Sequence, residues 1–174
     1  MNIFLFVILV IVFLILLSLG IAGHSLAPWV PARAKDLSRI HKLIDAQPGE
    51  KVYEIGCGNG RVSLYMHDNS EADIIGIERA WPLALVSQIR KKMGKKDRFT
   101  VRHESCFKSD LSDADVVYTF GMPAQMKNKL AQKLIESCKS GTRIVSYVFK
   151  IDPWEPDVID KPTKEDVPVY RYII

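Results

Sequence analysis

The sequence is poor in the residues that usually announce a metal or a disulfide. Its three cysteines, Cys57, Cys106 and Cys138, lie far apart without a C-x-x-C pair, and its four histidines show no ligand spacing. Neither a zinc site nor a disulfide framework is implied, no metal is expected, and a reduced, cytosolic catalytic part fits best. A surplus of one charge is also missing: 24 Lys and Arg against 20 Asp and Glu leave +4, too mild for a nucleic-acid footprint without a basic stripe. No nucleic-acid partner is expected. There is no internal repeat and no low-complexity tract, and the phosphate-loop pattern G-x-x-x-x-G-K-[ST] is absent. With 174 residues and 48% hydrophobic content, the chain has room for one packed domain of ordinary size and not for two enzymatic ones.

What the N-terminus does have is an uncharged apolar run, from Ile3 through Leu17 and on to Ala22. About 20 such residues at a rise of about 1.5 Å match the roughly 30 Å hydrocarbon core of a bilayer, so residues 1–23 are read as a transmembrane anchor through residues 3–22. The competing reading is a cleaved signal peptide, for which Gly20-Ile21-Ala22 offers small residues; the run is long for that role and no Lys or Arg precedes it. Arg33, Lys35, Arg39 and Lys42 follow the run against Asp36 alone, which puts the body of a single-pass membrane protein in the cytoplasm by the positive-inside bias. Residues 24–33 form a juxtamembrane linker. Trp29 within it has two readings, an interfacial anchor or a side chain packed on the domain.

Residues 34–174 alternate between the two periodicities. An amphipathic helix is expected over Ala34 to Ala46, with Leu37, Ile40, Leu43 and Ile44 on one face, and Pro48-Gly49 breaks the chain. Strands are expected at Lys51 to Ile55, Ala72 to Ile77, Phe99 to Arg102, Asp115 to Phe120, Arg143 to Phe149 and Val167 to Ile174. Helices are expected from Gly60 to about His67, from Pro82 to Met93 with Gly94 as its C-cap, and from Pro123 to Cys138. Strands alternating with helices imply a Rossmann-like α/β fold, a mostly parallel sheet wound on both faces, preceded by the transmembrane helix. The basic run Arg90, Lys91, Lys92, Lys95, Lys96 and Arg98 reads as a solvated helix end or as a contact for an acidic partner or lipid surface.

The stretch Tyr53-Glu54-Ile55-Gly56-Cys57-Gly58-Asn59-Gly60-Arg61 runs from a strand into a glycine-rich turn and a helix start. Such a turn presents backbone N–H groups and a helix dipole to a ligand, and glycine lets that ligand reach the main chain. Dinucleotide sites use G-x-G-x-x-G, but here Arg61 occupies the third glycine position; the spacing is G-x-G-x-G, with Glu54 two places upstream. Cys57 reads as a small filler, with no neighbouring base to make it a nucleophile.

This pattern resembles that of class I S-adenosylmethionine-dependent methyltransferases. The resemblance implies that Glu54, Gly56, Gly58, Gly60, Glu78 and Ser105 bind S-adenosyl-L-methionine. Glu78 ends the second strand, where a carboxylate can accept both ribose hydroxyls in charge-assisted bonds. Ser105, with Glu104 beside it, takes the place where the family often has an acidic residue meeting adenine, and Glu54 stands where Asp is commoner. With Val116 to Pro123, Arg143 to Asp157 and Val169 to Tyr172, the chain from about residue 28 is similar to the membrane-anchored protein-lysine methyltransferases acting on the ATP synthase c-subunit and the adenine nucleotide translocase, and to their prokaryotic relatives. That implies an N-methyltransferase acting on lysine ε-amines of a protein substrate, itself membrane-associated. Tyr118 and Trp154, with Phe120, are the candidate aromatic lining of the acceptor pocket; no other catalytic residue is identified. A small-molecule or lipid amine as acceptor, and a cofactor-binding membrane adaptor without turnover, are the alternatives.

Overall fold

Short apolar strands bounded by turn residues set the architecture. The computed structural model describes residues 2–25, 29–123 and 129–174. Helix α1 spans Ile3–Ser25. After a 3₁₀ turn at Ala34–Asp36 come α2 (Leu37–Ile44), β1 (Lys51–Ile55), α3 (Arg61–Asn69), β2 (Asp73–Glu78) and α4 (Trp81–Met93). Then follow β3 (Phe99–His103), β4 (Val116–Thr119), α5 (Ala131–Ser137), β5 (Arg143–Tyr147), β6 (Val158–Asp160) and β7 (Val169–Ile173). The seven strands form one sheet in the order β3-β2-β1-β4-β5-β7-β6. β1 to β5 run parallel, and β7 is antiparallel to both β5 and β6. This is the mostly parallel, helix-covered α/β sheet expected from the alternating elements.

Two cores lie on the two faces, and strand alternation sorts the residues between them. Val52, Val116 and Val145 pack with Ile40, Leu43 and Ile44 of α2 and Val62 and Met66 of α3. Their neighbours Tyr53, Val117 and Ile144 pack the other way, with Ala131 and Leu134 of α5 and with Leu111, Ile151 and Tyr172. The chain ahead of β1 is fastened by Asp36, fully buried, which accepts from the Tyr147 hydroxyl (2.6 Å) and from Arg39 (2.8 Å). Arg39 reaches on to Asp160 (2.7 Å), so one guanidinium joins α2 to β6.

Element boundaries differ in detail from those expected. α2 stops at Ile44 because Asp45 turns left-handed (φ 47°) as its C-cap. Gly94 does cap α4, but at φ −84°, and the left-handed residue is Lys95 (φ 50°). The seventh strand, β6, was not expected; three residues after a proline-rich stretch are too few to show an alternation. The helix expected over Pro123 to Cys138 is seen as α5 in its second half, while residues 124–128 lie outside the described residues. So do Met1 and residues 26–28 of the linker.

Candidate functional site

Every parallel strand points its carboxyl end at the same edge, and the chain reverses its direction of winding between β1 and β4, where the crevice for a ligand belongs. β1 empties into Gly56, Gly58 and Gly60, all at positive φ (75°, 54° and 75°). At Gly60 an added Cβ would also run into Ser87 Oγ of α4. Gly60→Ala is therefore expected to cost about 1–3 kcal/mol in backbone strain, a drop of a few °C in melting temperature for a chain of this size. Thermal unfolding of the variant checks this, and Ser87→Ala in the same chain should restore the part of the loss that comes from the clash with the Ser87 hydroxyl.

Glu78, at the end of β2, is buried and uses both oxygens. Oε2 accepts from Gly58 N–H (2.8 Å) and Oε1 from Ala80 N–H (2.7 Å). The carboxylate thus pins the glycine loop to the β2–α4 turn, and each oxygen retains one acceptor position. Burial pushes its pKa up, against the pull of these N–H bonds. Glu54, one strand away, is buried too. Its Oε2 accepts from both the backbone N–H (2.8 Å) and the hydroxyl (2.5 Å) of Ser63 in α3. Desolvation raises its pKa to about 8, with Ser63 opposing and the like charge of Glu78 adding. Among the described residues no cation forms an ion pair with it.

The remaining expected residues are scattered more widely. Ser105 is half-buried in the turn after β3, its carbonyl accepting from the backbone N–H groups of Lys108 (2.9 Å) and Ser109 (3.2 Å). Glu104 beside it accepts from the Ser109 hydroxyl (2.9 Å). Cys57 is a buried filler whose Sγ lies 2.8 Å from where a Cβ on Gly76 would stand, and burial pushes its thiol well up. Tyr118 and Trp154 are not brought together. Tyr118 belongs to the α2–α3 face, fully buried, its hydroxyl without a partner among the described residues. Trp154 packs edge-on to Tyr172 (5.9 Å) on the other face. The aromatics that gather beyond β4 and β5 are Phe120 and Phe149, stacked at 6.3 Å, with Tyr147 edge-on to Phe120 at 5.0 Å.

Four further residues lie at or near this edge outside the expected site set, and for Trp29 the structure takes the second of its two readings, packing on the domain. Trp29 lies on the glycine loop, its Nε1 2.6 Å from where a Cβ on Gly58 would sit; Arg61 fastens the same segment by donating to the Ala32 carbonyl (3.0 Å). Thr119, last in β4 beside Ile55 of β1, is fully buried with an unpartnered hydroxyl among the described residues. Val148, next after β5, sits at φ 73°, a strained conformation for a β-branched residue and of the kind that collects at functional sites.

These features suit S-adenosylmethionine. Three left-handed glycines form the loop after β1, Glu78 at the end of β2 keeps acceptor capacity that ribose hydroxyls can use, and Glu54 has a carboxylate that a cationic amine can use. Residues 54–158 match the ANTKMT methyltransferase domain family. The chain is 28% identical over 156 residues to a protein-lysine N-methyltransferase of Saccharolobus islandicus, covering 84% of this chain and 93% of that one. It is 25% identical over 118 residues to phosphoethanolamine N-methyltransferase 3 of Arabidopsis thaliana, spanning 24% of that longer protein. Among solved structures, an RNA methyltransferase from Salinibacter ruber in complex with S-adenosyl-L-homocysteine superposes with a TM-score of 0.77 at 29% identity, covering 83% of this chain and 94% of that one. With sheet order, glycine cradle and sequence likeness in agreement, the chain belongs to the ANTKMT methyltransferase domain family and is a class I S-adenosylmethionine-dependent methyltransferase.

Proposed function

We propose that the methyl acceptor is the ε-amine of a lysine in a membrane-associated protein. The observation that carries this reading is the likeness, along nearly its whole length, to the S. islandicus protein-lysine N-methyltransferase. S-adenosylmethionine supplies a methyl group already activated on a sulfonium. The chain's own task is to hold it and to present a neutral amine in line. Glu54, Gly56, Gly58, Gly60, Glu78 and Ser105 hold the cofactor in this reading. A lysine has a reference pKa of about 10.4 and must shed its proton to attack; an apolar aromatic lining favours the neutral form by desolvation. In this reading Phe120 and Phe149, packed together at the carboxyl ends of β4 and β5, supply that lining rather than Tyr118, which is enclosed, or Trp154, which lies on the other face.

α1 supports the membrane part of the proposal. Its 23 residues make roughly 35 Å of helix, apolar all round and exposed along Ile3–Gly20. We assign residues 1–23 as anchor, 24–33 as linker and 34–174 as catalytic domain, with that domain in the cytoplasm.

The test is to incubate the full chain with methyl-labelled S-adenosylmethionine and a membrane fraction. Label on a protein, abolished by prior lysine blocking, is the expected result. Label in the lipid extract would replace this reading with a lipid-amine acceptor, and label on a water-soluble amine with a small-molecule acceptor, as phosphoethanolamine is for the relative so named. Cofactor binding without any labelled product would replace it with an adaptor. With the substrate in hand, Phe120→Ala is expected to lower kcat/KM by about tenfold or more, as loss of a desolvating wall should, whereas Tyr118→Phe should be nearly neutral; equal rates in Phe120→Ala and the wild type would remove the aromatic pocket.

A further inference from the structure

We infer that α4 is a second membrane contact, lying in the interface of an anionic bilayer and holding the glycine loop at the membrane surface. The inference rests on the anchor reading of α1.

A helix that only covers a sheet should turn a polar side to water. α4 does not. Its buried residues, Ala84 and Ser87, face the domain, while Trp81, Leu85, Ile89 and Met93 make a ridge at every fourth position, with Val86 alongside. These side chains are 39%, 46%, 48%, 80% and 42% exposed. The ridge runs roughly 18 Å along the axis. No Asp or Glu occurs anywhere from Trp81 to Met93, and Arg90, Lys91, Lys92 and Lys95 gather at the far end. An apolar stripe with a tryptophan at one end and cations at the other is the pattern of a helix lying in a headgroup layer, and the missing acids match a surface of anionic lipid.

Chain connectivity brings this face to the membrane. Only four residue steps separate Ser25, the end of α1, from Trp29, which sits on Gly58. Fully extended, they reach about 14 Å, so an α1 that crosses the bilayer keeps the glycine loop within that distance of its surface. α4 flanks the same loop. Arg90 donates to the Asn59 carbonyl (2.7 Å), and Ser87 abuts Gly60. α1 and α4 touch directly. A methyl acceptor reachable from such a site lies at headgroup depth, on the membrane-proximal part of its protein.

The test uses the full chain carrying Trp29→Phe and Trp154→Phe, which leaves Trp81 as its one tryptophan. It is reconstituted in phosphatidylglycerol–phosphatidylcholine vesicles whose acyl chains are brominated near the headgroup. Trp81 emission should be blue-shifted and quenched, less so in phosphatidylcholine alone. Adding Leu85→Glu and Ile89→Glu should abolish the quenching while the protein still floats with the vesicles and still binds S-adenosylmethionine. Flotation with unquenched Trp81 in the parent would overturn the docking of α4 and leave the anchor standing. Failure to float at all would overturn the anchor reading and the docking together.

Discussion

Glu78→Ala is expected to abolish measurable binding of S-adenosylmethionine while leaving a folded, less stable protein. The side chain has a structural duty and, in the proposed site, a ligand duty. Its removal strands the Gly58 and Ala80 N–H groups, each worth about 1–3 kcal/mol when buried without a partner, and releases the glycine loop from the β2–α4 turn. Loss of two charge-assisted bonds to ribose, at about 1.5–3 kcal/mol each, weakens binding by a further factor of about 10² to 10⁴. Glu78→Gln separates the two duties. It keeps one acceptor oxygen but turns an NH₂ group toward an N–H that now lacks an acceptor, so its affinity should fall between wild type and Ala. Calorimetric titration with S-adenosylmethionine, with a melting curve of each variant, reads both effects. A folded Glu78→Ala protein whose Kd stays within about threefold of wild type, a difference of under 1 kcal/mol, would remove Glu78 from the binding site.

The parts of this molecule that local sequence expresses are those held by local rules. Gly56, Gly58 and Gly60 are legible because a turn at positive φ selects glycine, and Glu78 because it ends an apolar run of strand length. The five parallel strands announced themselves through short apolar stretches between turn residues, and α1 through sheer hydropathy. What was not legible depends on contacts distant in the chain. Trp29 reaches Gly58 only because Arg61 and Asp36 fasten the segment ahead of α2. Ser63, which grips Glu54, looks like any helix serine. Tyr118 and Trp154 are both aromatic and both near strand ends, yet strand alternation assigns Tyr118 to the α2–α3 face, and the irregular chain after β5 carries Trp154 to the other. The apolar ridge of α4 was written in the sequence as a helix, but only its exposure separates it from an ordinary core-facing stripe.

The affinity for S-adenosylmethionine should itself depend on pH, through Glu54. Its folded-state pKa of about 8, against an ordinary 4.5, means that the protein holds Glu54 protonated across the neutral range. The corresponding contribution to folding is full below pH 4.5 and is lost as the pH rises through about 8; the penalty for keeping the ionised form buried is on the order of 5 kcal/mol at about 1.4 kcal/mol per pKa unit. A cationic amine beside the carboxylate reverses that preference. Binding of the methionine ammonium then requires Glu54 to lose its proton, so each unit of pH between about 6 and 8 should tighten Kd by up to about tenfold. The gain ends where Glu54 is already ionised and where the ligand's own amine begins to lose its charge. The stabilisation that saturating cofactor confers should grow over the same interval, since it follows the ratio of concentration to Kd. Glu54→Gln has no proton to release. Its Kd should be weak and flat from pH 6 to 8, and its unliganded form should lose less stability than wild type over that range. Titrations at several pH values, repeated in buffers of different ionisation enthalpy to count released protons, measure the linkage directly. A slope shared by wild type and Glu54→Gln would place the titrating group elsewhere and leave Glu54 as a buried partner of Ser63 alone.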